Sequence, residues 1–486
     1  MNKLRVSSKR VDDELLMRRR REELNKWPTG KEVDFDEAVA YQKSLPDSKI
    51  WWKVMVKLRE EGRMSVFPRA GTPVLEKMIE LCQGLRDSGV VLIPVTTDSY
   101  TRLGQYEKVE GILQECNRTG KAMLNGYPII NQGVKQTRKL VESVDAAFSP
   151  RGAGGEIAIA SGLTTSEASM GFLGFGSYSK KQTIRELAER WQNSTRVVGW
   201  YADRGVILCC DLHGWLPSGP FPLSVNIVCL IIEAVTAAEQ GQKALYPIVH
   251  CMGNMTQDMA WIRLAPRLIR EYLDKFGHKD CMITGCCPAQ TPLFPVAMDM
   301  GGAFAYLNYV AMVGALSKSN AVDLRSIDEG AGVPTKDTNA VSYRSAKWIF
   351  DVIREQKIEI RVKDMTMEEK LTEIEVRAIL TRLLELGDGD LLEGTVQAVE
   401  SGVLDSPWSP NVNVKDKVLG VRDAHGACRY LEFGNLPLPK VSKEFHREKI
   451  AEREKLEGKK VDYHTAVRDL WSMSKGKIVG IPPYNQ

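Results

Sequence analysis

Long apolar segments, a strong excess of one charge and the common cofactor motifs are all absent from this 486-residue sequence. The longest apolar run, residues 223–238, contains Asn226 and Glu233, so it predicts a buried core helix rather than a membrane span. Lys and Arg number 66 and Asp and Glu 62, and the net charge of +4 lacks the basic excess typical of nucleic-acid binders. We therefore expect a globular protein that binds neither a membrane nor nucleic acid.

Cysteine and histidine are present without the spacing that metal sites or disulfide frameworks need. None of the ten cysteines forms a Cys-x-x-Cys pair and the six histidines are dispersed, so we predict no metal site. The doublets at 209–210 and 286–287 lie in apolar surroundings and predict buried free thiols in a cytoplasmic protein. Gly-x-Gly-x-x-Gly, phosphate-loop and His-Glu-x-x-His motifs are missing, which argues against the enzyme classes that depend on them.

Short apolar runs alternate with amphipathic helical stretches between residues 60 and 330. Strand followed by helix, repeated about eight times, favours a (β/α)8 TIM-type barrel over an open doubly wound α/β sheet. We expect an N-terminal helical segment at 1–35, the barrel at 36–340 and a C-terminal α+β extension at 341–486. The predicted strands are residues 64–67, 90–96, 127–130, 146–148, 206–210, 245–250, 282–284 and 321–324.

Arginines follow four of these apolar runs, at positions 69, 102, 151 and 325. The carboxyl ends of barrel strands form the floor of the active site. Several guanidinium groups there would suit a substrate with more than one carboxylate, each held by two hydrogen bonds. Surface ion pairs are the alternative, and for any single loop arginine they are the better interpretation. The pattern alone leaves both interpretations open.

A recognisable pattern is carried by seven short stretches: 27–33 (WPTGKEV), 68–71 (PRAG), 124–128 (LNGYP), 237–241 (AAEQG), 253–258 (GNMTQD), 332–336 (GVPTK) and 429–435 (RYLEFGN). In order and spacing they resemble the large (epsilon) subunit of glutamate mutase, also called methylaspartate mutase. The similarity runs from about residue 27 to the C-terminus, and this colinearity is more specific than any single motif.

The resemblance implies a catalytic (β/α)8 barrel that closes over adenosylcobalamin. Such enzymes isomerise L-glutamate to L-threo-3-methylaspartate by radical fragmentation and recombination. In this class the cofactor supplies the radical chemistry, and the protein supplies orientation and a chamber closed to water.

The resemblance also assigns residues to the substrate. Arg69, Arg102 and Arg151 match the three arginines that grip the two carboxylates. Glu167 matches the acid that holds the substrate ammonium, and it and Arg102 are the expected catalytic residues. Tyr178 matches a tyrosine that lines the substrate pocket.

Six further residues match contacts to the cofactor. Arg325 and Glu329 fall where the family has a Lys and a Glu around the adenosyl ribose. Arginine in place of lysine keeps the charge and changes the donor geometry. The other four, near the corrin and the adenosyl group, are Gly71, Asn125, Phe294 and Val333.

Two departures from the family concern the choice of substrate. Gly152 follows Arg151 where the family usually has His, which removes a donor beside the carboxylate site and is expected to leave space. The segment 168–177 is one residue longer and more apolar than its family equivalent. We expect glutamate to be converted with a raised KM, and Gly152→His to lower that KM where the segment leaves room for the ring.

The chain also lacks the Asp-x-His-x-x-Gly motif that supplies the lower ligand of cobalt. The Asp-x-His sequence at Asp211-Leu-His213 is followed by glycines only at positions 214 and 219, so His213 is expected to be structural. The resemblance therefore implies a separate small cobalamin-binding subunit, together with a dimer of large subunits. Two alternatives stay open: a related mutase for a different amino dicarboxylic acid, and a non-catalytic barrel that binds a partner or a small acid.

Overall fold

The computed structural model describes residues 5–166, 173–174, 179–291, 295, 297, 299–329, 335–360, 362 and 364–474. The chain begins with three helices and two short 3-10 helices between them: α1 (Asp13–Leu24), Pro28–Glu32, α2 (Phe35–Ser44), Asp47–Lys49 and α3 (Trp51–Glu60). Arg20 joins α1 to the rest of the protein, because its fully buried guanidinium forms an ion pair with Glu156. In the part of the chain that the structure describes, no helix is both long and apolar enough to cross a membrane.

Strands and helices then alternate along the chain, as the sequence predicts for an α/β protein. The elements are β1 (Ser65–Phe67), α4 (Leu75–Asp87), β2 (Leu92–Thr96), α5 (Ser99–Arg102), α6 (Tyr106–Thr119), α7 (Ile129–Ser143), β3 (Ala147–Arg151), α8 (Gly155–Ala160), α9 (Ile184–Ala202), β4 (Cys209–Leu212), α10 (Ser224–Glu239), β5 (Ala244–Cys251), α11 (Met255–Lys275), β6 (Met282–Ile283), β7 (Cys287–Gln290), α12 (Met300–Leu316) and β8 (Ala321–Asp323).

The strands of this part pair in parallel, in two ladders. One has the order β1-β8-β7-β5-β4, with β6 also paired to β5, and the other pairs β2 with β3. Isolated parallel bridges link them, from Ala70 to Val95 and from Thr165 to Cys209. Because the pairing is parallel throughout, the carboxyl ends of these strands share one side of the molecule.

The predicted strand at 127–130 is wrong, because no strand forms there and a helix takes up the second half of that stretch. Helix α7 begins at Ile129, is interrupted at Gly133 and continues to Ser143. Its buried residues recur at helical spacing, and Pro128 precedes the helix where a missing N–H costs nothing. Strand β7, which lies between β5 and β8, was not among the predicted strands.

Helix α10 is buried along nearly its whole length, which confirms the core helix predicted for residues 223–238. Two of its buried polar residues bind the loop that follows β4. The Asn226 amide donates to the carbonyls of His213 (3.0 Å) and Trp215 (2.7 Å), and Glu233 accepts the Gly214 N–H at 2.9 Å. The prediction for the cysteines is also confirmed, since all ten are buried and unpaired.

The C-terminal part contains helices and an antiparallel hairpin: α13 (Lys336–Glu355), α14 (Met365–Leu386), α15 (Leu391–Ser401), β9 (Val418–Arg422), β10 (Cys428–Phe433), α16 (Lys440–Glu457) and α17 (Tyr463–Leu470). One apolar cluster contains side chains from both sides of residue 340. Across it, the Trp261 indole N–H donates to the Thr372 hydroxyl at 3.0 Å. The predicted domain boundaries at 35 and 340 stay predictions.

Candidate active site

Charged side chains gather at the carboxyl ends of β1, β3 and β8. Arg151 is the last residue of β3 and Asp323 the last residue of β8, while Arg69 and Arg325 lie two residues beyond β1 and β8. Glu329 follows in the next turn. Parallel pairing alone explains why residues so distant in sequence meet on one side of the sheet. With Asp211, His213 and His250, these five residues are called the strand-end cluster below.

Arg151 and Asp323 form a buried pair of two parallel hydrogen bonds. Arg151 Nη1 donates to Asp323 Oδ1 at 3.1 Å and Nη2 donates to Oδ2 at 2.8 Å. The two side chains are only 10% and 7% exposed. Burial alone would raise the pKa of Asp323, but the charges of Arg151 and Arg69 outweigh burial and lower the pKa to about 2. Asp323 is therefore a carboxylate at every physiological pH.

A second carboxylate lies between two arginines. Glu329 Oε1 is 3.6 Å from Arg69 Nη1 and 3.7 Å from Arg325 Nε. Arg325 also donates from Nη2 to the Thr291 carbonyl at 3.1 Å, and its backbone N–H donates to Gln290 Oε1 at 2.6 Å. Burial and then the charge of Arg69 lower the pKa of the Arg325 guanidinium.

Two histidines complete the cluster. His213 Nε2 lies 3.2 Å from Asp211 Oδ2, and the rings of His213 and His250 are 6.4 Å apart between centroids. Burial, followed by the neighbouring His213, lowers the pKa of His250 to about 3, so this imidazole is neutral.

Several buried polar atoms at these strand ends have no hydrogen-bond partner. Buried polar groups in proteins nearly always have one, so a concentration of exceptions indicates a site built for a polar ligand. Among the residues that the structure describes, such atoms at the strand ends are Arg69 Nε, Thr96 Oγ1, Ser166 Oγ, Asp211 Oδ1, both ring nitrogens of His250, Arg325 Nε and Glu329 Oε2.

Arg102 lies on α5, next to the residue that follows Arg151. It ends α5, its Nε is 3.5 Å from the Asp98 carbonyl, and it lines a cavity of about 960 Å³ bordered by α1 and α9. The structure brings the Arg102 side chain against Gly152. A Cβ at Gly152 would lie 2.6 Å from Arg102 Cδ, and the φ of Gly152 is +105°. The expectation that Gly152 leaves space is therefore wrong, because the Arg102 side chain fills it.

Gly71 and Asn125 lie beside the end of β2. A Cβ at Gly71 would be 2.6 Å from the Thr96 carbonyl oxygen and 2.8 Å from Gly126 Cα, so close backbone packing requires glycine there. Asn125 is exposed beside this contact. Glu167, Tyr178, Phe294 and Val333 lie outside the described residues, as does most of the segment 168–177.

Sequence reasoning named Glu329 by resemblance, but it missed Asp211, Asp323 and the two histidines as members of the cluster. The rule that selected arginines after apolar strands applies equally to Asp323, and it would have found this residue had it included carboxylates. His250 ends an apolar strand in the same way. Within the described ranges, no group of three or more His, Cys, Asp and Glu residues is arranged to hold a metal ion.

Together, the parallel strands and the arginine-rich cluster at their ends define an α/β enzyme with a site suited to a small acidic molecule. The model of the family described as methylaspartate mutase E chain (MutE) matches residues 45–482. The chain belongs to this family, which makes it an isomerase and confirms the resemblance read from the motifs.

Three relatives named glutamate mutase epsilon subunit match nearly the whole chain. The protein from Desulfitobacterium hafniense is 36% identical over 98% of this chain and 99% of its own length. That from Treponema denticola is 34% identical over 99% of both chains, and that from Haloarcula marismortui is 33% identical over 98% and 97%. The solved tryptophan synthase alpha chain of Legionella pneumophila covers 62% of this chain and 97% of its own at 13% identity, but its TM-score of 0.26 supports no conclusion.

Proposed function

We propose that this chain is the catalytic subunit of an adenosylcobalamin-dependent mutase that interconverts L-glutamate and L-threo-3-methylaspartate. The observation that carries the proposal is the strand-end cluster, in which Arg69 and Arg325 keep buried donor atoms without hydrogen-bond partners, in a chain that matches glutamate mutase epsilon subunits over nearly its whole length. A substrate with two carboxylates and an ammonium provides the acceptors and the donor that such a cluster needs.

The strands are proposed to close into an eight-stranded barrel around this cluster. Three contacts support closure beyond the regular ladders. The Thr96 N–H donates to the Ala70 carbonyl at 2.7 Å, which joins β2 to the end of β1. The Thr164 N–H donates to the Phe148 carbonyl at 2.9 Å, and the Ser166 N–H donates to the Cys209 carbonyl at 2.7 Å. Residues 164–166 thus supply the strand between β3 and β4.

The proposed substrate site uses Arg69 and Arg151 for the carboxylates. Arg69 has a buried Nε without a partner, which leaves a donor for a carboxylate oxygen. By resemblance, Arg102 completes the carboxylate grip and Glu167 holds the ammonium, with Tyr178 and Gly152 beside them. Orientation of both ends of the substrate fixes which carbon meets the radical, and positioning of this kind contributes several orders of magnitude to rate.

The residues assigned to the cofactor fit an adenosyl group chemically. Arg325 Nε and Glu329 Oε2 are a buried donor and a buried acceptor without partners, which matches the paired hydroxyls of a ribose. Gly71 and the exposed Asn125 would contact the corrin side, with Phe294 and Val333. When bound, adenosylcobalamin supplies the radical that removes a substrate hydrogen. The chain itself contributes binding, orientation and the exclusion of water.

A separate small subunit with Asp-x-His-x-x-Gly is proposed to supply the lower cobalt ligand. His213, which stands in the Asp-x-His sequence after β4, is buried and hydrogen-bonded to Asp211, which leaves it poorly placed to reach a corrin. The large chain would then bind the reactive face of the cofactor, and the small subunit its other face.

Reconstitution tests this proposal. The purified chain alone should bind adenosylcobalamin weakly and show no turnover. Addition of the small subunit should produce tight cofactor binding and turnover. Product NMR and the cob(II)alamin radical signal measure the reaction with L-glutamate, 2-aminoadipate and 3- or 4-substituted glutamates. Full activity from this chain alone would contradict the two-component proposal. A radical signal from another acid and none from glutamate would assign that acid as the substrate in place of glutamate. No signal from any acid would favour the non-catalytic alternative.

A further inference from the structure

We propose that Asp323 is a positioning residue that fixes the Arg151 guanidinium for one carboxylate of the substrate. This inference rests on the proposed function, because it deepens the role of Arg151 in that site. No motif drew attention to Asp323, and its importance follows from its contact with Arg151 across 172 residues of sequence.

The geometry of the pair leaves Arg151 able to bind a second carboxylate. Asp323 accepts from Nη1 and Nη2, which form one edge of the guanidinium. The neighbouring edge, formed by Nε and an Nη, offers two further parallel donors in the same plane. Since Asp323 fixes that plane, the direction of the second edge is fixed as well. A substrate carboxylate bound there would be held in one orientation.

The charges of the cluster also indicate that Asp323 sets the orientation of Arg151. Arg69, Arg151 and Arg325 bring three positive charges to the strand ends, where burial makes each costly and all repel one another. Asp323 and Glu329 offset two of them. Without Asp323, Arg151 would retain its attraction for a carboxylate and lose the contact that sets its orientation.

Orientation and attraction affect different kinetic constants. In Asp323→Asn the positive charge of Arg151 is less compensated, so substrate affinity should be retained or increased. The substrate would be held in several orientations, and a misplacement of about 1 Å reduces the rate of reaction by about 100-fold. A purely structural ion pair would instead lower stability and leave the kinetic constants of the folded enzyme unchanged.

The experiment uses the holoenzyme assembled from this chain, the small subunit and adenosylcobalamin. For Asp323→Asn we expect kcat for L-glutamate to fall 30- to 100-fold, and KM to rise less than threefold, on the scale set by misplacement. Calorimetric titration of L-glutamate into the complex loaded with hydroxocobalamin should show affinity equal to or above wild type. Asp323→Glu keeps the charge but displaces Arg151, so about a tenfold loss of kcat is expected.

Glu368→Gln is the matched control, because Glu368 forms a similar buried two-bond pair with Arg429, at 3.1 and 2.6 Å, in the C-terminal part. It should lower the urea midpoint and leave kcat unchanged. A wild-type kcat in Asp323→Asn would overturn the inference. If that variant does not fold, a wild-type kcat in Asp323→Glu would overturn it instead. Two further results separate the proposals: no turnover of L-glutamate by the wild-type complex would refute the proposed function, whereas turnover with wild-type constants in Arg151→Lys would leave that function intact and refute the role of Arg151. A raised KM in Arg151→Lys with normal Asp323 variants would refute only this inference.

Discussion

Two clusters of arginines among the described residues can be compared, and their hydrogen bonds differ. The first belongs to the strand-end cluster. The second, called the hairpin cluster here, consists of Arg422, Arg429 and Arg453 around β9 and β10. In the hairpin cluster, Arg422 donates to the Ser472 hydroxyl and to the carbonyls of Gly426 and Met252 at 2.7–3.0 Å.

The other two arginines of the hairpin cluster are equally saturated. Arg453 donates to Asp469, Glu457 and the Arg422 carbonyl, and Arg429 donates to Asp423 and Glu368. At the strand ends, by contrast, the buried Nε atoms of Arg69 and Arg325 have no hydrogen-bond partner. Burial of an arginine therefore does not identify a binding site, whereas several unused donors and acceptors gathered at one place favour one.

The largest expected effect tests the hairpin cluster. Arg453→Met removes a fully buried cation and leaves Asp469 without its partner. Loss of one member of a buried ion pair destabilises by about 3–5 kcal/mol, so the urea unfolding curve should shift by that free energy. KM and kcat of the folded enzyme should stay at wild-type values. A shift below about 1 kcal/mol would show that this cluster contributes little to stability.

The strand-end arginines should show the reverse. Arg69→Lys keeps the charge and loses the planar two-donor fork. The fall in kcat/KM should therefore correspond to a loss of about 2–4 kcal/mol of transition-state stabilisation, as for loss of a buried charged hydrogen bond. The same is expected of Arg102→Lys and Arg151→Lys. For Arg69→Lys the free energy of unfolding should change by less than about 1 kcal/mol, because no saturated network is broken. Unchanged kinetics in all three variants would make these arginines ordinary ion pairs.

Much of the fold could be predicted from local sequence. The apolar runs located seven strands, and the buried helix α10 followed from its composition. The strand at 127–130 failed because Tyr127, Ile129 and Ile130 suit a strand locally, whereas the buried positions that make the segment a helix come later, at Val134 and Leu140. A window of four residues cannot distinguish the two periods.

The site could be predicted only in part, because its contacts are between distant residues. Arg69, Arg151 and Arg325 were found from their positions after strands. The same rule, extended to carboxylates, would have selected Asp323, but not its pairing with Arg151, since the two residues become neighbours only in the folded protein. A residue in a family motif, conversely, need not belong to the site. Arg429 lies in a motif that identifies the family, yet its contacts are those of a structural ion pair.

Gly152 tests where the strand-end site meets Arg102. Both Gly152→Ala and Gly152→His force a side chain onto a backbone with φ of +105°, and their Cβ would meet Arg102 Cδ at 2.6 Å. We expect displacement of Arg102 and a loss of about 1–3 kcal/mol in kcat/KM for L-glutamate, the range given by strained backbone of this kind. Steady-state kinetics of the two variants measure this. A lower KM in the His variant, as the sequence alone suggests, would show that Arg102 moves aside without loss.

The smallest expected effect is a pH dependence of stability from His250. Its pKa is about 3 in the folded protein and near the ordinary 6.5 in the unfolded chain. Between these values the unfolded chain binds a proton that the folded chain does not, so the free energy of unfolding falls as the pH is lowered, by about 1 kcal/mol per pH unit. His250→Asn should remove that slope between pH 6 and pH 5.

Glu233 provides a control of opposite sign, because burial raises its pKa to about 8 from 4.5. The folded protein keeps a proton there that the unfolded chain loses as the pH rises from 4.5 to 8, so the free energy of unfolding falls in that direction. Urea unfolding of wild type, His250→Asn and Glu233→Gln at several pH values separates the two. If the Asn variant retained the wild-type slope, His250 would be hydrated or bonded in the folded protein, and the contrast between an unsaturated strand-end cluster and a saturated hairpin cluster would not extend to the histidines.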